Sequence, residues 1–458
     1  VDRTSEISNL PISVAVDLGH LLVASISERL GIRIVFIKGP VANHHRLRRA
    51  RQASDVDVMV EPDRADELID ALSEYGWSPR PASLASQKFV THSVALIQPD
   101  WPCDIDVHLS YPGLLDPQAF EGLWERRDTL EVEGGRVPVA DFVTSVLIAA
   151  LHSLRTPFDV RGAAEYRTLL ERWKAVETEA LRGELRTLAT ASGASWTIQP
   201  FFAEIGIDAG VAAPPPPGYG EWLRNQRQRN RAAAWLSLLK ASAWSERPVV
   251  LKRALFPARH DLYLDHPAGR AGARALLRVR ALRLVAAARA FPTAVQAVRE
   301  EWRVSPPHPA GGDPGARTLT AQADGTPLAD VESNAAARSA SPSDADGEVE
   351  SRGSATRVLR GHHLQDVLVV RCPTLVCIDT DERLYILHTG AKPQALVPLV
   401  LENTARTIWS LLEERSSLAE LVRKAADDFG VEPYLVAPEL ESFFARLDGL
   451  GLVRITRM

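Results

Sequence analysis

Residues 36–61 read FIKGPVANHHRLRRARQASDVDVMVE. The closing run DVDVMVE (55–61) alternates in the period of a β-strand. Asp55 and Asp57 stand at i and i+2 in that run, so both carboxylates point to one face. Two carboxylates held so close repel each other unless a cation lies between them. A hard divalent ion such as Mg²⁺ takes oxygen ligands at about 2.0–2.1 Å and suits such a pair. A single D-x-D pair is also common at the exposed end of a strand, so the neighbouring sequence has to decide.

Upstream, IRIVFIKG (32–39) reads as a strand that ends at Lys38-Gly39 and opens into a loop. Glycine lets backbone N–H groups approach a phosphate, Lys38 and Arg51 can neutralise one, and Ser54 adds a hydroxyl donor. Downstream, ADELIDALSEYGW (65–77) has apolar residues at helical spacing and a glycine stop. KFVTHSVALIQ (88–98) and CDIDVHLS (103–110) return to strand character. In the last string Asp104 and Asp106 again share a face, so a neighbouring strand can supply the third carboxylate of a two-ion site, with Asp55, Asp57 and Asp106 as ligands. Two such ions activate an attacking oxygen and stabilise a leaving pyrophosphate. Asp104 and His108 stand close behind. His108 is open to two readings, a group orienting a ligand or a packed histidine. His152, in the apolar helix DFVTSVLIAALHSLR, reads as a core residue.

The chain has 458 residues, net charge −5 and three cysteines without zinc-type spacing. Such a length predicts several domains, and so few cysteines cannot form a disulfide framework. No apolar run reaches the ~20 residues of a membrane span, and the first thirty residues mix acids among apolar positions, unlike a signal peptide. A cytoplasmic location is expected. Residues 10–140 read as an α+β core with a mixed sheet, and 141–303 as its helical, basic extension. Residues 304–357 lack aromatics and are dense in Pro, Gly, Ala, Ser and Asp, the composition of a flexible linker. Residues 358–458 read as a small α+β, winged-helix-like module. In the stretch 221–303, 17 cationic side chains stand against 6 acidic ones, a local net charge of +11. Its stripe RAGARALLRVRALRLVAAARA (270–289) suits an anionic membrane or a polyanion; the plainer alternative is a solvated face whose Arg stems cover apolar surface.

In the C-terminal module, four short strands (364–371, 374–380, 383–389 and 395–402) precede three helices (403–414, 417–430 and 437–451) and a last strand, LVRIT. Asn403 and Ser416/Ser417 are natural caps, and Gly430 and Gly451 natural stops. The helix APELESFFARLDGLG carries three acids against one arginine, so specific DNA reading is not expected.

The order strand, KG, Arg, Asp-x-Asp, helix, Asp-x-His resembles the nucleotidyltransferase superfamily with the polymerase β-type fold. Within it, the chain is similar to the bacterial uncharacterised nucleotidyltransferases over about residues 10–303. The matching strings are Arg51–Val60, Asp106-Val107-His108, Leu147–His152 and LFPARHDLYLDHP (255–267). Gly39-Pro40 departs from the usual Gly-Gly or Gly-Ser, and Pro40 removes one N–H that could face phosphate. Residues 364–455 resemble the PqqD-like family through Asn403-Thr404-Ala405, Ile408-Trp409, Leu418, Leu421, Val422, Phe443-Phe444, Leu447 and Leu450–Val453. That family comprises peptide-recognition elements for ribosomally made, modified peptides.

The resemblance implies a Mg²⁺- or Mn²⁺-dependent enzyme that uses a nucleoside triphosphate, with ATP the favoured one. The acceptor is a precursor peptide whose leader is captured by β-augmentation, and other biosynthetic enzymes are expected partners. Asp55, Asp57 and Asp106 are then the metal-binding and catalytic residues, with Lys38, Gly39, Ser54 and Arg51 holding the nucleotide. Two alternatives stay open. One is an idle scaffold delivering a precursor to other enzymes; the other is a nucleotidyltransferase acting on a small molecule or protein.

Overall fold

The computed structural model describes residues 10–155, 157, 160–211, 214–227, 231–266, 272–304, 364–390 and 397–457. The expected linker, apart from Val304, lies outside them, as do Arg229 and Arg270 of the basic stretch. The chain divides into two compact units, 1–307 with 373–406, and 308–372 with 407–458.

The first unit is an α+β fold on one mixed sheet. Helix α1 (Ile12–Leu30) ends at Gly31, whose left-handed conformation (φ 64°) lets its N–H close on Glu28 and Ser27 carbonyls. There follow β1 (Ile34–Phe36), α2 (Gly39–His44), β2 (Asp55–Val60), α3 (Ala65–Ser73), β3 (Ser78–Pro79), α4 (Leu84–Phe89), β4 (Ser93–Ile97) and β5 (Asp104–His108). Next come α5 (Ala119–Glu125), β6 (Asp128–Val132) and β7 (Gly135–Val139). Among the described residues the sheet has seven strands in the order β3-β4-β5-β2-β1-β7-β6. Strand β2 is central, parallel to β5 and antiparallel to β1. Every residue of β2 except Asp55 is buried, as expected where helices cover both faces.

Two local expectations need correction. Lys38-Gly39 does not open a loop but starts α2, with Pro40 in its first turn, where a missing N–H costs least. Residues 88–98 are not one strand. Lys88 and Phe89 end α4, and only Ser93–Ile97 form β4.

From Phe142 to Val304 the unit is helical: α6 (Phe142–Arg155), α7 (Val160–Val176), α8 (Glu179–Ala191), α9 (Gln199–Ile205), α10 (Tyr219–Arg227), α11 (Ala232–Ala241), α12 (Arg247–Leu255), α13 (Arg259–Asp265) and α14 (Ala273–Val304). No described helix is long and apolar enough to cross a membrane. No disulfide joins the three cysteines, and burial pushes the Cys103 thiol up to about 12.

Among the described residues, 373–406 contribute a three-stranded antiparallel sheet. Strand β8 (Val367–Arg371) belongs to the second unit, and β9 (Leu375–Asp379), β10 (Arg383–His388) and β11 (Leu399–Glu402) to the first. Val376, Ile378, Tyr385 and Leu387 are buried in the same apolar core as α1. Ser25 Oγ donates to Thr389 Oγ1 (2.8 Å), Arg29 to the Thr389 carbonyl (2.6 Å), and Tyr75 to the Gly390 carbonyl.

In the second unit β8 lies between β12 (Arg415–Ser417) and β13 (Val453–Arg457), antiparallel to both. Helix α15 (Asn403–Leu411) is divided at Arg406 between the units, and α16 (Leu418–Phe429) and α17 (Pro433–Gly449) follow. Ser417 caps α16 by accepting the Glu420 N–H at 3.2 Å, and Gly430 ends it at φ 64°. Ile408, Trp409, Leu418, Leu421, Phe443, Phe444 and Leu447 are buried. The second unit is therefore small and α+β, with an antiparallel sheet.

Candidate functional site

The carboxylates meet because β2 and β5 run parallel and in register. Asp55 lies opposite Asp104, and Asp57 opposite Asp106. Residues facing each other across a ladder share a face of the sheet, so Asp106 is on the same side as Asp55 and Asp57. One ligand atom each from Asp57, Asp106 and His108 lies within 4.8 Å of the others, a grouping that could hold a metal ion.

Asp57 is 3% exposed, and a carboxylate so placed needs a partner. It has two. The Lys38 ammonium donates to Oδ1 at 2.7 Å, and His108 Nε2 lies 2.9 Å from the same oxygen. Burial raises the Asp57 carboxyl, but the His108 hydrogen bond and the Lys38 charge outweigh it and hold it at about 2. Lys38 occupies a turn with φ 55° and ψ −143° between β1 and α2, which aims its side chain back across the sheet. Its ammonium lies 5.5 Å from the Tyr111 ring centre and 3.4 Å from His108 Nε2. Burial works against that charge, yet Tyr111 and Asp57 leave the Lys38 pKa raised.

Asp55 and Asp106 are not similarly compensated. Burial first, and then the charge of Asp57, raises both carboxyls. Lys38, with Arg51 acting on Asp55, does not offset burial and mutual repulsion at these two acids. A divalent cation is the ordinary remedy. His108 Nδ1 is buried without a hydrogen-bond partner, a second sign of an incomplete site.

Beside the acids opens a cavity of about 150 Å³. Lys38, Gly39, Arg48, Arg51, Asp55 and Asp57 line one side, and Ser145, His152, Ser153 and Glu165 of α6 and α7 the other. Arg51 is ion-paired with Glu165 at 3.3 Å. Arg48 donates to the Gly39 carbonyl at 2.9 Å; burial and then Arg51 lower its pKa.

The sequence-selected residues therefore separate. Lys38, Gly39, Arg51, Asp55 and Asp57 border the cavity, while Asp106 and His108 join Asp57 from β5. Asp104 is drawn away by an ion pair with Arg80, at the end of β3. Ser54 is exposed and donates to Asp55 Oδ1 at 3.4 Å. His152 is not in the core but exposed at the cavity wall, where burial of its surroundings and the Lys38 charge lower its pKa. Arg48 and Glu165 went unread. Arg48 had a signal in the run RLRRAR, but Glu165 had none, because it reaches the cavity only through the packing of α7.

Comparison with known proteins gives two matches along the chain. Residues 20–194 match the family described as uncharacterised nucleotidyltransferase, and residues 398–453 match coenzyme PQQ synthesis protein D (PqqD). Among solved structures, the antibiotic-resistance factor ANT(2'')-Ia is 15% identical, with 40% of this chain and 96% of that chain covered and a TM-score of 0.27. An antigenic nucleotidyltransferase-like protein from Paracoccidioides brasiliensis is 12% identical, covering 43% of this chain and 95% of that chain, at a TM-score of 0.26. A tRNA-processing enzyme is 14% identical, covering 64% and 93%, at 0.18. No curated protein matches the chain.

Proposed function

We propose that the nucleotidyltransferase domain at residues 20–194 and the PqqD domain at 398–453 form one enzyme, a metal-dependent nucleotidyltransferase acting on a ribosomally made precursor peptide. One observation carries the catalytic half: the in-register pairing of Asp57 with Asp106 beside a cavity bordered by Lys38, Arg48 and Arg51. The donor set of Asp57, Asp106 and His108, with Asp55 on the same face of the sheet, and the orphaned His108 Nδ1 fit a hard divalent ion such as Mg²⁺ or Mn²⁺. Asp57 and Asp106 would hold it, with Asp55 or His108 completing the set. Such an ion, when bound, supplies electrostatic stabilisation of charge on the phosphates.

The chain's own groups do the rest. Arg48, Arg51 and Lys38 attract the triphosphate of ATP into the cavity and orient it. Asp106 accepts the proton of the attacking hydroxyl or amine. The nucleotidyl group passes to that acceptor and pyrophosphate leaves. The leader segment binds as an added strand. Strand β11, which among the described residues pairs only with β10, offers such an edge.

The test is incubation with labelled ATP, Mg²⁺ and precursor peptide. Wild type is expected to label the peptide, and Asp57→Ala to lose at least a hundredfold in rate. Equal signals from both proteins would leave only a peptide-delivering scaffold.

A further inference from the structure

The basic helices after the catalytic core have no part in the chemistry above, and their surface is unusual. On α14, Leu277, Leu284 and Phe291 recur every seven residues and are 63%, 41% and 54% exposed. At 1.5 Å per residue they form a row of about 21 Å. Ala281 and Ala288 fill the intervening turns, also exposed. Helical spacing sets Arg274, Arg278 and Arg289 along one side of the row, all exposed. Leu276, on another side, is buried. Leu277, Leu284 and Phe291 thus stay open to solvent beside the arginines. Helix α12, which packs on α11 as α11 packs on α14, also carries exposed Leu251 and Val249. Trp244 before it and Phe256 after it are 83% and 64% exposed.

We propose that this face is a docking surface for an anionic lipid bilayer, on which the helical extension lies without crossing it. Charge complementarity selects the occupant. The stretch 221–303 carries +11, so the partner is anionic. A nucleic acid would leave the leucines and Phe291 in water, because phosphates offer no apolar partner. A second copy would bring like-charged arginine rows together across the seam. A leaflet of anionic headgroups over acyl chains meets both features, taking the row into the interface while arginines stay at headgroup level.

The full-length protein is sedimented with vesicles of phosphatidylcholine containing phosphatidylglycerol, and with vesicles of phosphatidylcholine alone. Wild type is expected to pellet with the anionic vesicles and to be released as salt rises. Leu277→Ser/Leu284→Ser/Phe291→Ser is expected to bind about a hundredfold more weakly. Arg274→Gln/Arg278→Gln/Arg289→Gln should lose the preference for anionic vesicles, also roughly a hundredfold. If circular dichroism finds the triple serine variant unfolded, Phe291→Ser alone carries the test, with a loss of about tenfold. Wild type left in the supernatant at every composition overturns the proposal, as does a folded serine variant that binds like wild type. Absence of vesicle binding together with a serine-sensitive complex with an acidic protein, or a serine-sensitive dimer, would likewise assign the face to another partner.

Discussion

His20 illustrates how a single side chain ties the core to solution conditions. It is 1% exposed on α1, its Nδ1–H donates to the Val16 carbonyl at 2.7 Å, and Nε2 is buried without a partner. Burial holds its pKa at about 4 against an unfolded value near 6.5. The folded state thus binds the proton less well than the unfolded one. The resulting stability is complete above pH 6.5 and is lost as pH falls through 4, a change of about 3 kcal/mol. Urea unfolding across that window should show the decline. His20→Asn, which keeps a donor for Val16, should flatten it in part, since His92, lowered to about 3 by burial and Arg155, contributes to the same slope. An unchanged slope in the variant would refute the assignment. At this scale the shared face of Asp55 with Asp57, and of Asp104 with Asp106, was legible because i,i+2 spacing is local. That Asp104 turns to Arg80 while Asp106 joins Asp57 was not, because Arg80 arrives from another strand.

Among the elements, α1 and β2 make the closest approach behind the carboxylates. A Cβ added at Gly19 would lie 2.9 Å from Val56 Cγ2, so the glycine is what lets the helix sit on the strand. Gly19→Val is expected to cost about 2 kcal/mol by overpacking. Calorimetry should then find a Tm lowered by roughly 5 °C. A Tm equal to wild type would mean that the helix can shift freely. Strands Asp55–Val60 and Asp104–His108 were readable from their alternation. Helix α4 was not: Ser83 caps it locally, but its six residues are too few to show a helical period, and the Leu84 N–H is satisfied by Asp261 at 2.9 Å, far along the chain. The C-terminal helices were readable because their signals, Ser417 and Gly430, act within a turn of the backbone they cap.

For the molecule as a whole, the N-terminal unit does not end before the C-terminal module but takes in residues 373–406. Residues 373–406 share its core through Val376, Ile378, Tyr385 and Leu387, and Ser25, Arg29 and Tyr75 bond to Thr389 and Gly390. Ending the chain at residue 303 would uncover that face of α1. Such a truncation is expected to melt several degrees lower and to bind more hydrophobic dye than full-length protein. A truncated chain as stable as the whole would argue for an independent module linked only by a tether. In the first case the sheet of β9, β10 and β11 would be part of the N-terminal unit itself, and not merely concentrated near it.

Local spacing determined much of this protein without any coordinates. It set which carboxylates share a strand face, where the apolar runs fold into helices or strands, and where caps and glycines end them, because these depend on neighbours within a few residues. Tertiary structure alone decided the register that sets Asp57 opposite Asp106, the wrapping of Lys38 and His108 around Asp57, and the siding of residues 373–406 with the N-terminal core. Those outcomes depend on how separate elements bury apolar area and pair charge across long sequence distances, which no local pattern encodes.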